Sequence, residues 1–268
     1  MYLADYHTHS MISFDSEAPL MAEAARAAEL GLKELCVTDH CDLIDEHGKR
    51  VYDFDWSAAL EQYQSVRAAF EGKLQLKLGL ELGCANADPA CAAKILSGAQ
   101  PDFIIGSVHN MTMEAGGQDF YYLPFERLEQ CYRALDNYFD SLLSVSKLPE
   151  TYDVLGHIIY PLRYMKNARD GQVTLERYEE ILRAIFTAAA ETGRGIELNT
   201  YCGRTLEEWL PTLKLYRACG GEIVTTGSDA HTAENIGKGI QEAQELLRAA
   251  GFRYLAVYQQ RTPQFIRL

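Results

Sequence analysis

No run of apolar residues approaches the roughly 20 that span a bilayer. The amino-terminal Met1-Tyr2-Leu3-Ala4-Asp5 lacks the basic segment that opens a secretory signal. Positive charge is scarce: 25 Lys and Arg stand against 38 Asp and Glu, a formal net charge of -13. That balance disfavours broad electrostatic binding to nucleic acid or an anionic membrane, and an anionic substrate then needs a local cationic site. Paired cysteine spacing is also missing. Cys36, Cys41, Cys84, Cys91, Cys131, Cys202 and Cys219 form no C-x-x-C, which argues for reduced thiols and a cytoplasmic protein, and against a structural zinc knuckle. With no internal repeat, low-complexity tract or Pro/Ser-rich linker, we expect one domain over residues 1–268, with a small appendage at about 252–268. Oligomeric state is not legible.

Short β-rich runs alternate with helical-period segments from end to end, the signature of repeated β-α units around a parallel sheet. The runs are Tyr2 to Tyr6, Glu34 to Thr38, Leu74 to Glu81, Phe103 to Val108, Tyr152 to Gly156, Gly195 to Asn199, and Glu222 to Gly227. Helices are expected over Ala18 to Leu30, Ser57 to Phe70, Pro89 to Leu96, Phe125 to Val145, Leu175 to Thr192, Pro211 to Cys219 and Ala233 to Ala250. The chain length and these seven units suit a single (β/α) barrel. Segments after the strands are long, as in Cys41 to Trp56, Asn110 to Pro124 and Ile158 to Val173, whereas segments before them are short. A site is therefore expected at the carboxyl ends of the strands.

The seven histidines sharpen that expectation, because six sit at or just past strand ends: His7, His9, His40, His109, His157 and His231. His47 lies in a polar loop and carries no expected role. Glu81, Asp229 and Asp15 share those ends. Residues i and i+2 of a strand face one side, so His7 with His9, and Asp229 with His231, can each point into one cavity. Imidazole nitrogen with carboxylate oxygen is a ligand set for Zn, Fe(II) or Mn(II). A multinuclear metal site follows.

The residues fall in a motif series: Asp5-Tyr-His7-Thr-His9-Ser10, Thr38-Asp39-His40, Gly79-Leu-Glu81, Gly106-Ser-Val-His109, Gly156-His157 and Gly227-Ser-Asp229-Ala-His231. This series resembles that of the PHP (polymerase and histidinol phosphatase) superfamily. The chain's size and its Glu197-Leu-Asn199-Thr200 strand end are similar to the histidinol-phosphate phosphatase branch. The resemblance implies a distorted seven-stranded (β/α)7 barrel, TIM-like, with three divalent metal ions (Zn, Fe or Mn). It assigns His7, His9, Glu81 and Asp229 to one metal, Glu81, His109 and His157 to a second, and Asp15, His40 and His231 to a third. Many members have His where this chain has Asp15, and the harder oxygen ligand tilts that position toward Mn or Fe.

Two metals bridged by Glu81 can hold a hydroxide as nucleophile and clamp a phosphoryl group undergoing in-line displacement. Glu81, Asp229 and His231 are then the catalytic residues, and Ser10, Ser107 and Ser228 support them. Asp39 is expected to fix an imidazole tautomer. For the substrate we expect Arg163 and Arg204 as phosphate clamps, Tyr121 and Tyr122 as either a lid or packing residues, and Asp42 as a substrate-side group; the leaving group is served by a metal-bound water, by the third metal or by Asp42 as general acid. The implied reaction is hydrolysis of L-histidinol phosphate. The competing readings are a phosphoesterase for another small phosphate ester, such as a sugar phosphate or nucleoside monophosphate, a nuclease or proofreading domain, an amidohydrolase, and a degenerate barrel retained as a binding module. The acidic charge opposes a nuclease, and Asp39-His40 with no plausible bridging lysine opposes an amidohydrolase.

Overall fold

The structure is a computed structural model that describes residues 1–165, 170–206 and 209–268. Its organisation is visible in β1 (Ala4–Thr8), β2 (Glu34–Val37), β3 (His40–Asp42) and above all β4 (Gln75–Gly83). In β4, Leu76, Leu78, Leu80 and Leu82 join an apolar layer with Tyr63, Val66, Ala92 and Ile95. Lys77, Gly79, Glu81 and Gly83 alternate with them and face the other way. That period of two places leucines against α2 (Trp56–Ala69) and α3 (Pro89–Leu96) and carries Glu81 to the inside.

The strand series continues with β5 (Phe103–Ser107), β6 (Val154–Leu155), β7 (Gly195–Asn199) and β8 (Val224–Gly227). The order is β1-β2-β4-β5-β6-β7-β8, every pairing parallel, with β3 paired to the carboxyl half of β4 through His40↔Glu81. Closure between β8 and β1 is made just above the strands. His9 N donates to Ala230 O at 2.8 Å and Asp229 N to His7 O at 2.9 Å. The pairing of β1 slips between Asp5 and Thr8, an irregularity typical of active-site edges. The seven strands nearly close into a (β/α)7 barrel, as expected.

The remaining helices are α1 (Leu20–Glu29), α4 (Leu128–Ser146), α5 (Glu179–Glu191), α6 (Trp209–Ala218) and α7 (Ile240–Ala249). Three boundaries depart from the sequence reading. The helix expected from Leu175 opens as a 3-10 turn at Glu176–Tyr178 and becomes α-helical at Glu179. The helix expected from Ala233 begins only at Ile240, because Gly237 and Gly239 take positive φ of 74° and 79°. The three residues of β3 read as loop in the sequence, where nothing signals their pairing with β4. Of the expected Ile158 to Val173 segment, residues 166–169 lie outside the described residues.

The carboxyl-terminal segment forms an antiparallel hairpin, β9 (Tyr254–Gln259) and β10 (Thr262–Arg267). Leu255, Ala256, Val257 and Tyr258 are buried. Tyr258 packs on Phe103 at 4.9 Å, and its backbone N donates to Tyr6 Oη at 2.8 Å. Arg261 Nε donates to Asp153 Oδ1 at 3.1 Å. The hairpin is thus bound to the end of the barrel opposite the histidines. Among the described residues, no helix is long and apolar enough to cross a membrane.

Candidate metal centre

Five imidazoles surround one carboxylate. Glu81 Oε2 lies 3.1 Å from His7 Nε2, 3.4 Å from His9 Nε2 and 3.2 Å from His40 Nδ1. Oε1 lies 3.2 Å from His109 Nε2 and 2.8 Å from His157 Nε2, and accepts from Ser107 Oγ at 2.7 Å. Asp229 Oδ1 is 3.6 Å from the Nε2 of both His7 and His9. A third group forms at the rim, where Asp15 Oδ2 sits 3.0 Å from His231 Nε2 and 3.6 Å from His40 Nε2. The structure therefore brings all nine sequence-predicted ligands into one cluster. His7-His9-Asp229, His7-Glu81-His157 and His9-His40-His231 within it, and His40-Asp42-His109 at its edge, each present ligand atoms close enough to share an ion.

Groups on the outer side of the cluster aim these rings. His7 Nδ1 lies 2.7 Å from Glu197 Oε1, His109 Nδ1 2.6 Å from Asp42 Oδ1, and His231 Nδ1 3.1 Å from the Asp229 carbonyl. Ser13 Oγ donates to Asp39 Oδ1 at 2.8 Å and accepts from His40 N at 3.0 Å, which leaves it an acceptor for His9 Nδ1 at 3.1 Å. Four rings thus have Nδ1 engaged outward and Nε2 turned inward, the arrangement that outer carboxylates and carbonyls impose on metal-binding histidines. Asp39 acts through Ser13 and Ser10 rather than on a ring directly.

The electrostatics fit a cation better than they fit bare side chains. Burial opposes charge on His7, but Glu197, Glu81 and Asp229 hold it well above the ordinary imidazole range. Burial, together with His231 and His40, pushes His9 down to about 3, so the central ring is neutral. Burial would raise Glu81, yet His7, His109 and His40 keep it well below the usual carboxylate range. Glu81 Oε2 is nonetheless a buried oxygen without a hydrogen bond. Two pairs of ring nitrogens also face each other, His7 with His9 at 3.0 Å and His109 with His157 at 3.2 Å. Converging lone pairs around an unsatisfied carboxylate oxygen are what divalent ions would satisfy. Asp229 itself takes φ 60°, a left-handed backbone stored at the site.

A cavity of about 390 Å³ opens over the cluster, a size suited to a small ligand. Arg163 lines it, 3% exposed, with Nη1 donating to Asp229 Oδ2 at 2.8 Å and Nη2 to Asn199 Oδ1 at 2.6 Å. Its guanidinium rests on the Tyr201 ring at 4.4 Å. Tyr121 and Tyr122 also line the cavity but stand at its rim, 59% and 54% exposed. Two expected substrate residues are not on the lining. Arg204 is exposed and lies over Tyr201 at 5.1 Å. Asp42 is turned away from the cavity toward His109 Nδ1, which its Oδ1 meets in a hydrogen bond, and His40 Nδ1, which its Oδ2 approaches to 3.1 Å. A Cβ at Gly83 would collide with Asp42, so the glycine makes its place. Those imidazoles hold Asp42 down to about 2 despite its burial.

Sequence reasoning missed Phe14, Glu46, Asp119, Tyr160, Tyr164 and Tyr201 in the lining and Ser13 behind the cluster, and it read Glu197 and Asn199 only as part of a strand-end motif with no role at the site. Glu197 carried a usable signal, a charge between Ile196 and Leu198 in a buried strand. A larger groove of about 660 Å³, lined by Lys77, Asp102 and Gln259, has no histidine, and those three residues already pair with one another.

A metal-binding barrel with this series of strand-end histidines has known counterparts. Residues 5–201 match the PHP domain family, and the chain belongs to it. The match stops short of Asp229 and His231, whose place in the cluster rests on geometry. The histidinol-phosphatase of Lactococcus lactis subsp. lactis (strain IL1403) is 30% identical over 263 residues, 95% of this chain and 93% of that protein. A "Probable histidinol-phosphatase" of Thermotoga maritima is 28% identical over 260 residues, 95% of each. Among solved structures, histidinol phosphate phosphatase from Lactococcus lactis subsp. lactis Il1403, complexed with Zn, L-histidinol and phosphate, superposes with a TM-score of 0.82 at 27% identity over 98% of both chains.

Proposed function

We propose that this protein is a metal-dependent phosphomonoesterase of the histidinol-phosphate phosphatase branch, hydrolysing L-histidinol phosphate to L-histidinol and phosphate. The observation that carries the reading is the five-imidazole cage around Glu81 beneath a cavity that holds a buried arginine. His7, His9, Glu81 and Asp229 would hold one metal, Glu81, His109 and His157 a second, and Asp15, His40 and His231 a third. Ions bound there would supply Lewis-acid polarisation of the phosphoryl oxygens and an acidified water.

The chain's own groups do the rest. Arg163 Nε is buried with no partner, a donor that a phosphoryl oxygen would satisfy while Nη1 and Nη2 stay anchored. Asp119 uses Oδ1 to accept from Tyr121 N at 2.7 Å, and among the described residues no hydrogen bond engages Oδ2 beside the cavity, which suits the substrate's ammonium. Tyr160, Tyr164 and Tyr121 follow one another edge to face at 5.3 Å and offer an aromatic wall to an imidazole. One barrel domain and a cytoplasmic location belong to the same reading, and seven cysteines, none of them in a disulfide, suit a reducing compartment.

The test is phosphate release from L-histidinol phosphate beside sugar and nucleoside monophosphates, after chelation and reconstitution with Zn, Mn or Fe. Activity should vanish with the chelator, return with metal and favour histidinol phosphate. Activity on other monoesters alone would discard the substrate. A second expectation concerns Arg163→Lys, which keeps the charge and loses the planar fork. Its kcat/KM should fall on the order of 10²-fold, read from initial rates at saturating metal, and an unchanged value would remove Arg163 from phosphate binding.

A further inference from the structure

Glu197 lies in the middle of β7, 1% exposed, and does not line the cavity. Both of its oxygens are nevertheless engaged. Oε1 lies 2.7 Å from His7 Nδ1 and accepts from Asn199 Nδ2 at 3.1 Å, while Oε2 accepts from His157 N at 3.0 Å. His7 belongs to β1, two strands away through β8, and His157 follows β6 on the opposite side. Gly227 on β8 clears the path, since a Cβ there would collide with both Glu197 Oε1 and the His7 side chain. His157 has no hydrogen bond on Nδ1, so its ring lacks the outward tether that His7, His9, His109 and His231 possess. Its place is held through its backbone, by Glu197 at the N–H and by Tyr138 Oη at the carbonyl, 3.0 Å away.

We propose that Glu197 is a positioning residue for the metal centre, a two-sided acceptor that fixes the Nδ1–H tautomer of His7 and the backbone of His157 at once, so that both rings present Nε2 to the same metals. This rests on the metallophosphatase reading of the cluster, but it makes a demand of its own. Three donors converge on this side chain, and only a carboxylate accepts at both ends. Glutamine has the same shape and one acceptor. If its oxygen faces His7, its NH₂ opposes the His157 N–H. If its NH₂ faces His7, the ring must carry its proton on Nε2 and its lone pair turns away from the cluster.

The experiment compares wild type with Glu197→Gln by zinc competition against a chromophoric chelator, with circular dichroism to establish folding. Zinc affinity should fall by about 10–100-fold. At saturating zinc, kcat for histidinol phosphate should fall while KM is unchanged, because Glu197 is screened from the cavity. A folded variant that binds zinc as tightly as wild type overturns the proposal. If the variant does not fold, wild-type protein decides. With zinc bound, ¹⁵N NMR of the imidazoles should show His7 protonated on Nδ1, and an unprotonated Nδ1 overturns the proposal. Failure of wild type to hydrolyse histidinol phosphate would reject the substrate reading and leave the zinc affinities to judge Glu197.

Discussion

Replacing Glu81 by Gln should lower phosphate release on the order of 10³-fold or more and strip metal from the protein. The size of the effect follows from geometry. One carboxylate lies within 3.4 Å of five ring nitrogens and is 1% exposed, so no other anion can substitute for it at the centre. Its Oε2 has no hydrogen bond, and its Oε1 already accepts from Ser107. An amide must turn an N–H toward rings that themselves supply protons or lone pairs, and it removes the charge that His7, His109 and His40 oppose. Metal content by elemental analysis, beside kcat at saturating metal, checks this expectation. A Gln variant that retains metal and full kcat would deny Glu81 its bridging place. The apolar side of β4 is untouched, so the barrel should fold, and circular dichroism can verify it.

That these nine side chains cluster was legible in the sequence for a physical reason. Strand-end residues are fixed by periodicity: once β4 alternates Leu76, Leu78, Leu80 and Leu82 outward, Glu81 must point inward, and residues just past other strand ends converge on the same mouth. The substrate side was less legible because loops set it. Arg163 reaches the cavity on a 3-10 turn, Tyr160–Tyr164, whose shape depends on contacts far along the chain, whereas Arg204 stands only one loop away and faces solvent. The place of Asp42 was hard to read for a related reason. His40 and His109 lie at different strand ends, and only the folded chain, with β3 paired to β4, shows that both rings approach its oxygens. Glu197 stood in the sequence only as part of a strand-end motif with no role, because two of its three donors lie 190 and 40 residues away.

The largest stability effect is expected at a group outside the cluster. Glu23, on α1, has no exposed surface and neither carboxylate oxygen has a hydrogen bond. Burial, with the charges of Asp39 and Asp5 adding to it, pushes its carboxyl up to about 10. The folded protein therefore keeps Glu23 protonated at neutral pH, whereas the unfolded chain ionises it near 4.5. Since the folded value is the higher one, the protonated group's contribution is complete below about pH 4.5 and is lost progressively up to about pH 10. Glu23→Gln fills the same space without titrating, so its advantage over wild type should open near pH 4.5 and widen by about 1.4 kcal/mol per pH unit. Between pH 5.5 and 7.5 that is close to 3 kcal/mol, or roughly 5–10 °C in Tm for a chain of this size. Both proteins carry the same metal centre, so its own titrations cancel in the difference. Thermal unfolding of the two metal-loaded proteins across pH 5 to 8 measures it directly. Parallel profiles would mean that Glu23 ionises in the fold as it does in water, and that α1 admits solvent where the structure packs it shut.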